Sequence, residues 1–232
     1  MKNDIILDGN GHSVTGRGRT MAIYVSATNV TVMNFVLFGC QVGIWLNMSA
    51  NAIVVNNTIT DITAAIPQVQ TTGAIYIWGG GSHVITGNQI ENSYGGIGFG
   101  FTSSSCLVVG NNITGNTYGV GLWSSSNNVF HHNNFINNTL NVNDWSSTST
   151  NIWDNGKEGN YWSGYNQTNN NTHGIWDTPY TIDNNNQDNY PLMSPVRDYV
   201  LPEFQSWLIL PVLAAATALT IFYKKKLPKK PN

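Results

Sequence analysis

A polar residue followed two positions later by an aliphatic or aromatic residue recurs along most of the chain. The pairs are His12/Val14, Asn34/Val36, Asn57/Ile59, Asn88/Ile90, Asn111/Ile113 and Asn133/Phe135. The steps between them are 22, 23, 31, 23 and 22 residues, and one further step of 22 residues reaches Asn155. A nearly constant period of this length is typical of a solenoid, in which each repeat forms one coil.

Two further apolar motifs keep the same phase. One reads small–apolar–any–apolar and recurs at residues 22–25, 43–46, 74–77, 96–99 and 119–122. The other is a short apolar segment at residues 30–32, 53–55, 84–86, 107–109 and 129–131. Three short alternating strands per unit, without a helical period, predict an all-β, right-handed parallel β-helix of about six coils of 22–23 residues. Stacked coils bury one continuous core and expose alternate side chains.

The recurring Asn residues are interpreted as structural. Asn tolerates the left-handed backbone conformation of a tight corner, and stacked Asn amides can hydrogen-bond from coil to coil. The one longer step, between Asn57 and Asn88, indicates about nine additional residues in a single coil. We therefore expect residues 61–72, which include Pro67, to form a loop that leaves the rod.

Aromatic residues occupy the outward position of the second motif and the position two residues later. They are Tyr24, Trp45 and Tyr76 in the first column and Trp78 and Trp123 in the second. Aromatic rings that point away from a core are candidates for a binding surface, and rings one strand spacing apart suit a sugar chain. Coverage by the 61–72 loop, by the terminal segment or by another copy of the chain is the alternative, and both interpretations stay open. A glycan on Asn47 would crowd the same surface.

Charged residues are scarce, at 9% of the chain. The only acids between residues 5 and 140 are Asp8, Asp61 and Glu91, and their different phases in the repeat predict different sides of the rod. Glycoside hydrolysis requires two carboxylates close together. We therefore predict no catalytic residue, while a polysaccharide lyase or hydrolase stays open as the alternative. Residues 1–203 contain five Lys and Arg against twelve Asp and Glu, which argues against a nucleic-acid partner.

The C-terminal residues have the pattern of a membrane anchor. Residues 204–223 are 20 uncharged residues, and Lys224, Lys225 and Lys226 follow directly. This length spans a bilayer as a helix, and the Lys cluster predicts a cytoplasmic C-terminus with the β-helix outside. Such a protein needs an export signal, and none precedes the first strand, so we expect the natural N-terminus to lie upstream. The predicted domains are residues 1–155 (β-helix), 156–200 (cap and linker) and 201–232 (anchor).

The two ends of the repeat region have distinctive runs. The opening is Asp4-Ile5-Ile6-Leu7-Asp8-Gly9-Asn10-Gly11-His12. Three runs follow the coils: Gly159-Asn160-Tyr161-Trp162-Ser163-Gly164-Tyr165, Gly174-Ile175-Trp176-Asp177-Thr178-Pro179-Tyr180-Thr181-Ile182-Asp183, and Asp188-Asn189-Tyr190-Pro191-Leu192. Together with the coils, these runs resemble a known family, the NosD-type β-helix proteins, within the wider class of carbohydrate-binding proteins and sugar hydrolases. The resemblance covers roughly residues 3–195.

The resemblance raises the question of metals, since the family is often described as periplasmic copper-binding. Copper prefers His, Met or Cys grouped at bonding distance. His131 and His132 are adjacent, and on a strand they would point to opposite faces, while Cys40 and Cys106 are interpreted as buried apolar residues. We therefore predict no metal site and no cofactor. Only Asp177, Asp183 and Asp188 remain in the terminal segment, where a calcium site and a simple rod-end cap are the two interpretations.

The tail has a second resemblance. Pro202-Glu203-Phe204, the apolar span and the basic end resemble the tails that archaeal-type sorting transpeptidases recognise. The resemblance implies such an enzyme as a partner and a cell-surface location. Seven Asn-x-Ser/Thr sequons agree with that location and indicate a glycoprotein: Asn29, Asn47, Asn56, Asn112, Asn137, Asn166 and Asn170. The expected function is a non-catalytic, structural or glycan-binding surface β-helix, with a NosD-like copper-related maturation factor as a further alternative.

Overall fold

The computed structural model describes residues 4–63, 72–167 and 173–197, and these residues contain short strands and no helix. The strands are β1 (Ile5–Asp8), β2 (Ser13–Thr15), β3 (Met21–Val25), β4 (Val30–Met33), β5 (Val36–Phe38), β6 (Val42–Ala50), β7 (Ile53–Val55), β8 (Thr58–Thr60), β9 (Ile75–Gly81), β10 (Val84–Thr86), β11 (Gln89–Glu91), β12 (Gly95–Gly100), β13 (Leu107–Val109), β14 (Asn112–Thr114), β15 (Tyr118–Leu122), β16 (Val129–His131), β17 (Asn134–Ile136), β18 (Leu140–Asp144), β19 (Tyr161–Trp162), β20 (Tyr180–Thr181) and β21 (Gln187–Asp188).

Three parallel sheets run along the described residues. Sheet 1 has the order β1-β4-β7-β10-β13-β16, sheet 2 the order β19-β17-β14-β11-β8-β5-β2, and sheet 3 the order β18-β15-β12-β9-β6-β3. Every third strand therefore pairs with its counterpart one coil away, which is the topology of a parallel β-helix. Sheet 2 contains seven strands, so the β-helix has about seven coils, or turns, rather than the six predicted.

The core fills the interior between the three sheets. Its members include Ile44, Ile75, Ile97 and Val120, which lie on successive turns of sheet 3 and have no exposed surface. The prediction that alternate residues of the second motif point into the core is thus confirmed. Cys40 and Cys106 are buried and unpaired to each other, as the sequence predicted.

A ladder of buried Asn side chains marks the corner between sheets 1 and 2. Its rungs are Asn57, Asn88, Asn111, Asn133 and Asn160. From Asn88 onward, each Asn Oδ1 accepts the backbone N–H and the side-chain Nδ2–H of the rung before it, at 2.9–3.1 Å. The Nδ2 atoms also donate to backbone carbonyls of the neighbouring strands. The predicted stacking of Asn amides is confirmed.

Three details of that prediction are wrong. Val36 pairs with Thr58, so Phe35 and not Asn34 precedes Asn57 in the column, and the apolar core position is Leu37. At the other end Asn160, not Asn155, forms the last rung. The left-handed conformation belongs to the residue before each of the first four rungs, as at Asn56 (φ 55°) and His132 (φ 56°).

Aromatic side chains close the C-terminal end of the rod. Trp162 stacks between Phe135 and Tyr180, with ring centroids 4.4 and 4.3 Å away. Trp153 stacks on Phe130 with centroids 4.2 Å apart. These rings cover the last coil, which would otherwise expose its apolar interior. The segment also contributes β19 to sheet 2.

Some predicted features lie outside the described residues. They are most of the 61–72 loop, the anchor at residues 204–223 and the Pro202-Glu203-Phe204 motif. Among the residues that are described, no helix has the length and apolar character needed to cross a membrane.

Candidate functional site

The outer face of sheet 3 holds a continuous row of aromatic rings. Tyr24 lies 5.7 Å from Trp45, and Trp45 lies 5.4 Å from Tyr76, between ring centroids. The row continues from Tyr76 to Trp78 at 5.9 Å and from Trp78 to Phe101 at 5.3 Å. We call these five residues the aromatic row. It forms because Tyr24, Trp45 and Tyr76 occupy one register position on β3, β6 and β9.

Exposure differs strongly along the aromatic row. Tyr24 and Phe101 are 52% and 53% exposed, Trp45 and Trp78 are half-buried, and Tyr76 is fully buried. The ends of the aromatic row are therefore accessible to a ligand. Tyr76 can affect such a ligand only through the two rings that it contacts, Trp45 and Trp78. The Nε1 atom of Trp45 is buried without a hydrogen-bond acceptor among the described residues.

Trp123, the fifth residue predicted for this surface, lies apart from the row. Leu122 pairs with Phe99, so Trp123 follows in line with Gly100, which pairs with Trp78. Trp123 is 43% exposed. One turn lies between Trp123 and Trp78, and Gly100 occupies the corresponding position on it, so no ring fills the gap. The sequence therefore predicted the correct face for Trp123 but not its distance from the other rings.

Two residues of this surface were not predicted. Phe101 stacks on Trp78 with an interplanar angle of 14°, and its φ of 53° takes it out of the strand alternation. Met48 is 57% exposed and lies close to Gly79, beside Phe101. Polar hydrogen bonding is also available here, because the Asn47 amide donates to the Tyr24 hydroxyl at 2.6 Å. The repeat pattern contains no signal for Phe101, since the strand ends at Gly100.

The three acids of the coils are distributed differently from the prediction. Thr60 pairs with Glu91, so Asp61 and Glu91 lie at the ends of adjacent strands of sheet 2 rather than on different sides. Asp8 lies on sheet 1, where its carboxylate accepts from Asn10 and Asn34, and these bonds lower its pKa. The prediction of separate sides is wrong for Asp61 and Glu91 because their phases differ by a single residue: Asp61 follows Asn57 by four positions, and Glu91 follows Asn88 by three.

His131 and His132 also differ from the prediction, because they lie together. The positive φ of His132 ends the alternation of β16, so both rings lie on the same side. Their Nδ1 atoms are 2.7 Å apart, and His132 Nε2 lies 2.8 Å from Glu158 Oε2. Burial and, to a lesser extent, the neighbouring His132 lower the pKa of His131 to about 4, against the charges of Asp154 and Glu158, which raise it.

The aspartates of the terminal segment bind backbone and side-chain N–H groups. Both oxygens of Asp183 accept from the Asn186 amide, and one also accepts from the Asn185 N–H. Asp188 is fully buried and accepts from Asn160 N, Trp162 Nε1 and Tyr190 N at 2.7–3.0 Å. Within the described residues, no group of three or more His, Cys, Asp and Glu has the geometry of a metal site.

Burial of Asp188 raises its pKa to about 6 against these N–H donors, which lower it. A raised pKa means that the folded state holds the proton more tightly, so this stabilisation is present at low pH and is lost as pH rises through about 6. We expect the stability of the wild type relative to Asp188→Asn to fall by about 2–3 kcal/mol between pH 4 and pH 7. Urea unfolding of both proteins between pH 4 and pH 7 measures this change. A difference in stability that does not vary with pH would contradict the raised pKa of Asp188.

Comparison with known proteins identifies a family to which this chain is similar. The model of the family described as "Periplasmic copper-binding protein (NosD)" matches residues 2–167. No curated protein matches the sequence. The matched range contains all the coils, the aromatic row and the His131–His132 pair, and the family description agrees with a location outside the cytoplasm. The chain belongs to the NosD family.

Proposed function

We propose that this protein is a non-catalytic β-helix outside the cytoplasm that binds a neutral glycan on the aromatic row. The observation that supports this most directly is the unbroken series of four ring contacts that link five rings on neighbouring turns, with accessible rings at both ends. Soluble proteins seldom expose adjoining large apolar groups without a binding role.

The spacing of the rings suits a sugar polymer. Adjacent turns of a parallel sheet are about 4.8 Å apart, so rings in one register position repeat at this interval along the rod. A sugar ring has an apolar C–H face that packs on an aromatic ring and hydroxyl groups at its edge. Where Asn47 carries no glycan, its amide beside Tyr24 offers hydrogen bonds to such hydroxyls.

The five rings have different roles in this proposal. Tyr24, Trp45, Trp78 and Phe101 contact the sugar, because each of these side chains has exposed surface. Tyr76, which is fully buried, holds them in place, which keeps the loss of side-chain entropy on binding small. Trp123 forms a separate contact further along the rod. Neutral sugars are favoured because no Lys or Arg belongs to the row.

The tail completes the proposed arrangement. Residues 204–223 anchor the protein in the membrane, and the Lys cluster that follows keeps the C-terminus in the cytoplasm. The β-helix then presents its aromatic row at the cell surface, where a sorting transpeptidase is a candidate partner and the cell's own polysaccharides are candidate ligands.

We expect Trp78→Ala and Phe101→Ala to weaken the retention of the full chain on immobilised cellulose, chitin or mannan by at least tenfold. Their melting temperatures should fall by only a few degrees, because both side chains are partly exposed. Phe38→Ala is the matched control, since Phe38 is 46% exposed on sheet 2, away from the row. Affinity electrophoresis in polysaccharide gels measures the retention.

Two results would count against this function. Equal retention of the wild type, the two variants and the Phe38→Ala control would place binding elsewhere. A large loss of stability in Trp78→Ala without any change in retention would show that the ring is covered in the folded protein, and the row would then be structural.

A further inference from the structure

The sequon at Asn47 lies on the outer face of sheet 3, beside the aromatic row. Asn47 is partly exposed on β6, and its Nδ2 donates to the Tyr24 hydroxyl at 2.6 Å. Trp45 lies two residues earlier on the same side of the strand, and Trp78 lies beside Asn47 in register on β9. Three aromatic residues therefore border Nδ2, the atom to which an N-linked glycan is attached.

Four other sequons lie away from the aromatic row. Asn29, Asn56 and Asn137 are exposed residues with left-handed backbone at the corners of the coil. Asn112 lies on sheet 2, where its Oδ1 accepts from the Asn134 amide. A glycan at a corner extends into solvent, whereas a glycan on Asn47 begins next to Trp78.

Ser49, the third residue of this sequon, has a hydroxyl group without a hydrogen-bonding role in the folded protein. Its side chain is buried, and Oγ has no hydrogen-bond partner among the described residues. Ser103 and Ser149, two other buried Ser residues, accept backbone N–H groups from an earlier turn. Burying an unpaired hydroxyl costs free energy, and Ala would fill nearly the same volume without this cost. The Asn-x-Ser/Thr motif, in contrast, requires a hydroxyl at this position.

The hydroxyl is therefore explained by a reaction that precedes folding. In N-glycosylation, Nδ2 of Asn47 attacks the anomeric carbon of an oligosaccharide linked to a lipid diphosphate. The C–N bond forms, the C–O bond to the diphosphate breaks, Nδ2 loses one proton to the solvent, and the lipid diphosphate leaves. Because Ser49 is buried in the folded coil, the transferase reaches this sequon before the coil closes.

A glycan on Asn47 has an apolar surface within reach. Trp78 is on the neighbouring strand, about 4.8 Å away, and Phe101 stacks on it with an interplanar angle of 14°. The first sugar packs its apolar C–H face on the exposed surface of this pair of rings. A tethered sugar has an effective concentration on the order of millimolar, so it excludes free sugars that bind the same rings more weakly.

We propose that Asn47 carries an N-linked glycan whose first sugar packs on Trp78 and Phe101, so that the protein's own glycan closes the aromatic row to other sugars. This inference deepens the proposed function, because it rests on the ability of the row to pack against sugar. The form without the Asn47 glycan is then the form that binds a polysaccharide, and modification of one residue regulates the surface.

The test compares the full chain, exported from yeast behind an added export signal, with its Ser49→Ala variant. This substitution removes the sequon and keeps the Asn47 amide. Thr139→Ala is the matched control, because it removes the sequon of Asn137, an exposed corner residue. Mass spectrometry of peptides measures glycan occupancy, and affinity electrophoresis measures retention on cellulose, chitin and mannan. We expect a glycan on Asn47, and retention at least tenfold weaker for the wild type and Thr139→Ala than for Ser49→Ala.

The same three proteins from a bacterial host that adds no glycan provide a second control, and we expect equal retention among them. This comparison separates the effect of the glycan from any effect of the Ser49→Ala substitution on the fold. Equal and strong retention of the yeast-derived wild type and Ser49→Ala would overturn the proposal, as would an Asn47 without glycan in the exported protein.

Packing of the first sugar is measured by NMR after endoglycosidase H has trimmed each glycan to one GlcNAc. The ring current of Trp78 should move the N-acetyl methyl signal of the Asn47-linked GlcNAc upfield of the Asn137-linked signal, and Trp78→Ala should abolish the difference. A signal of the Asn47-linked GlcNAc that is unchanged in Trp78→Ala would overturn the proposed packing. A Trp78-dependent shift together with no retention of Ser49→Ala on any polysaccharide would support the packing and contradict the proposed function instead.

Discussion

Replacing Asn111 by Ala is expected to lower the free energy of unfolding by about 3–5 kcal/mol. Asn111 Oδ1 accepts the backbone N–H of Asn88, and its Nδ2 donates to the carbonyls of Ile85 and Val109. The truncation leaves these buried groups without partners, and each unpaired buried group costs about 1–3 kcal/mol. Since Asn111 is a central rung, the cost cannot be avoided by fraying of a terminal coil.

Equilibrium unfolding in guanidinium chloride measures this effect. Asn112→Ala is the control, because Asn112 is the next residue, lies on the outer side of β14 and accepts one hydrogen bond from Asn134. We expect the control to cost no more than about 1 kcal/mol. Equal losses of unfolding free energy in Asn111→Ala and Asn112→Ala would mean that a rung of the Asn ladder stabilises the protein no more than a polar side chain on the outer surface does.

Replacing Trp162 by Ala is expected to cost about 3–5 kcal/mol. The ring is buried between Phe135 and Tyr180, and its Nε1 donates to the buried carboxylate of Asp188 at 2.8 Å. The substitution therefore removes a stack and one of the N–H donors that hold Asp188. Trp162→Phe keeps a ring in the stack and loses only the donor, so we expect a smaller cost.

Thermal unfolding of the full chain distinguishes these cases. A melting temperature of Trp162→Ala that matches the wild type would show that the terminal segment is not a cap for the core. A cost for Trp162→Phe as large as for Trp162→Ala would mean that the Asp188 hydrogen bond, rather than the stack, dominates.

The sequence predicted the coil because alternation and a constant period are both direct consequences of stacked parallel strands. It failed locally where two neighbours are both apolar. Val36 and Leu37 fit the same pattern, and only the pairing of Val36 with Thr58 shows that Leu37 faces the core. An error of one residue there placed Asn34 in the ladder in place of Phe35.

The end of the ladder was missed for another reason. Asn155 occurs at the expected step, but its side chain accepts from the N–H groups of Lys157 and Glu158 and so forms a local turn. This turn inserts residues before Asn160, which takes the structural position. A period alone cannot distinguish an Asn that forms a turn from one that forms a rung, because both roles suit its side chain.

The candidate sites show the same limit. The repeat phase placed Tyr24, Trp45 and Tyr76 on one face, since register follows directly from the period. It could not predict that Tyr76 is fully buried, or that Phe101, which follows the end of β12, joins the row. His131 and His132 were separated in the prediction by strand alternation, which the left-handed φ of His132 cancels.

The most direct test of glycan binding uses Met48, whose exposed side chain lies beside Phe101. The full chain labelled with ¹³C-methyl methionine is titrated with cellohexaose, chitohexaose or a manno-oligosaccharide and followed by NMR. Binding on the aromatic row predicts a shift of the Met48 methyl signal, with Met33 on sheet 1 unchanged. A shift of Met33 without Met48, or no shift with any of the three sugars, would contradict the proposed function.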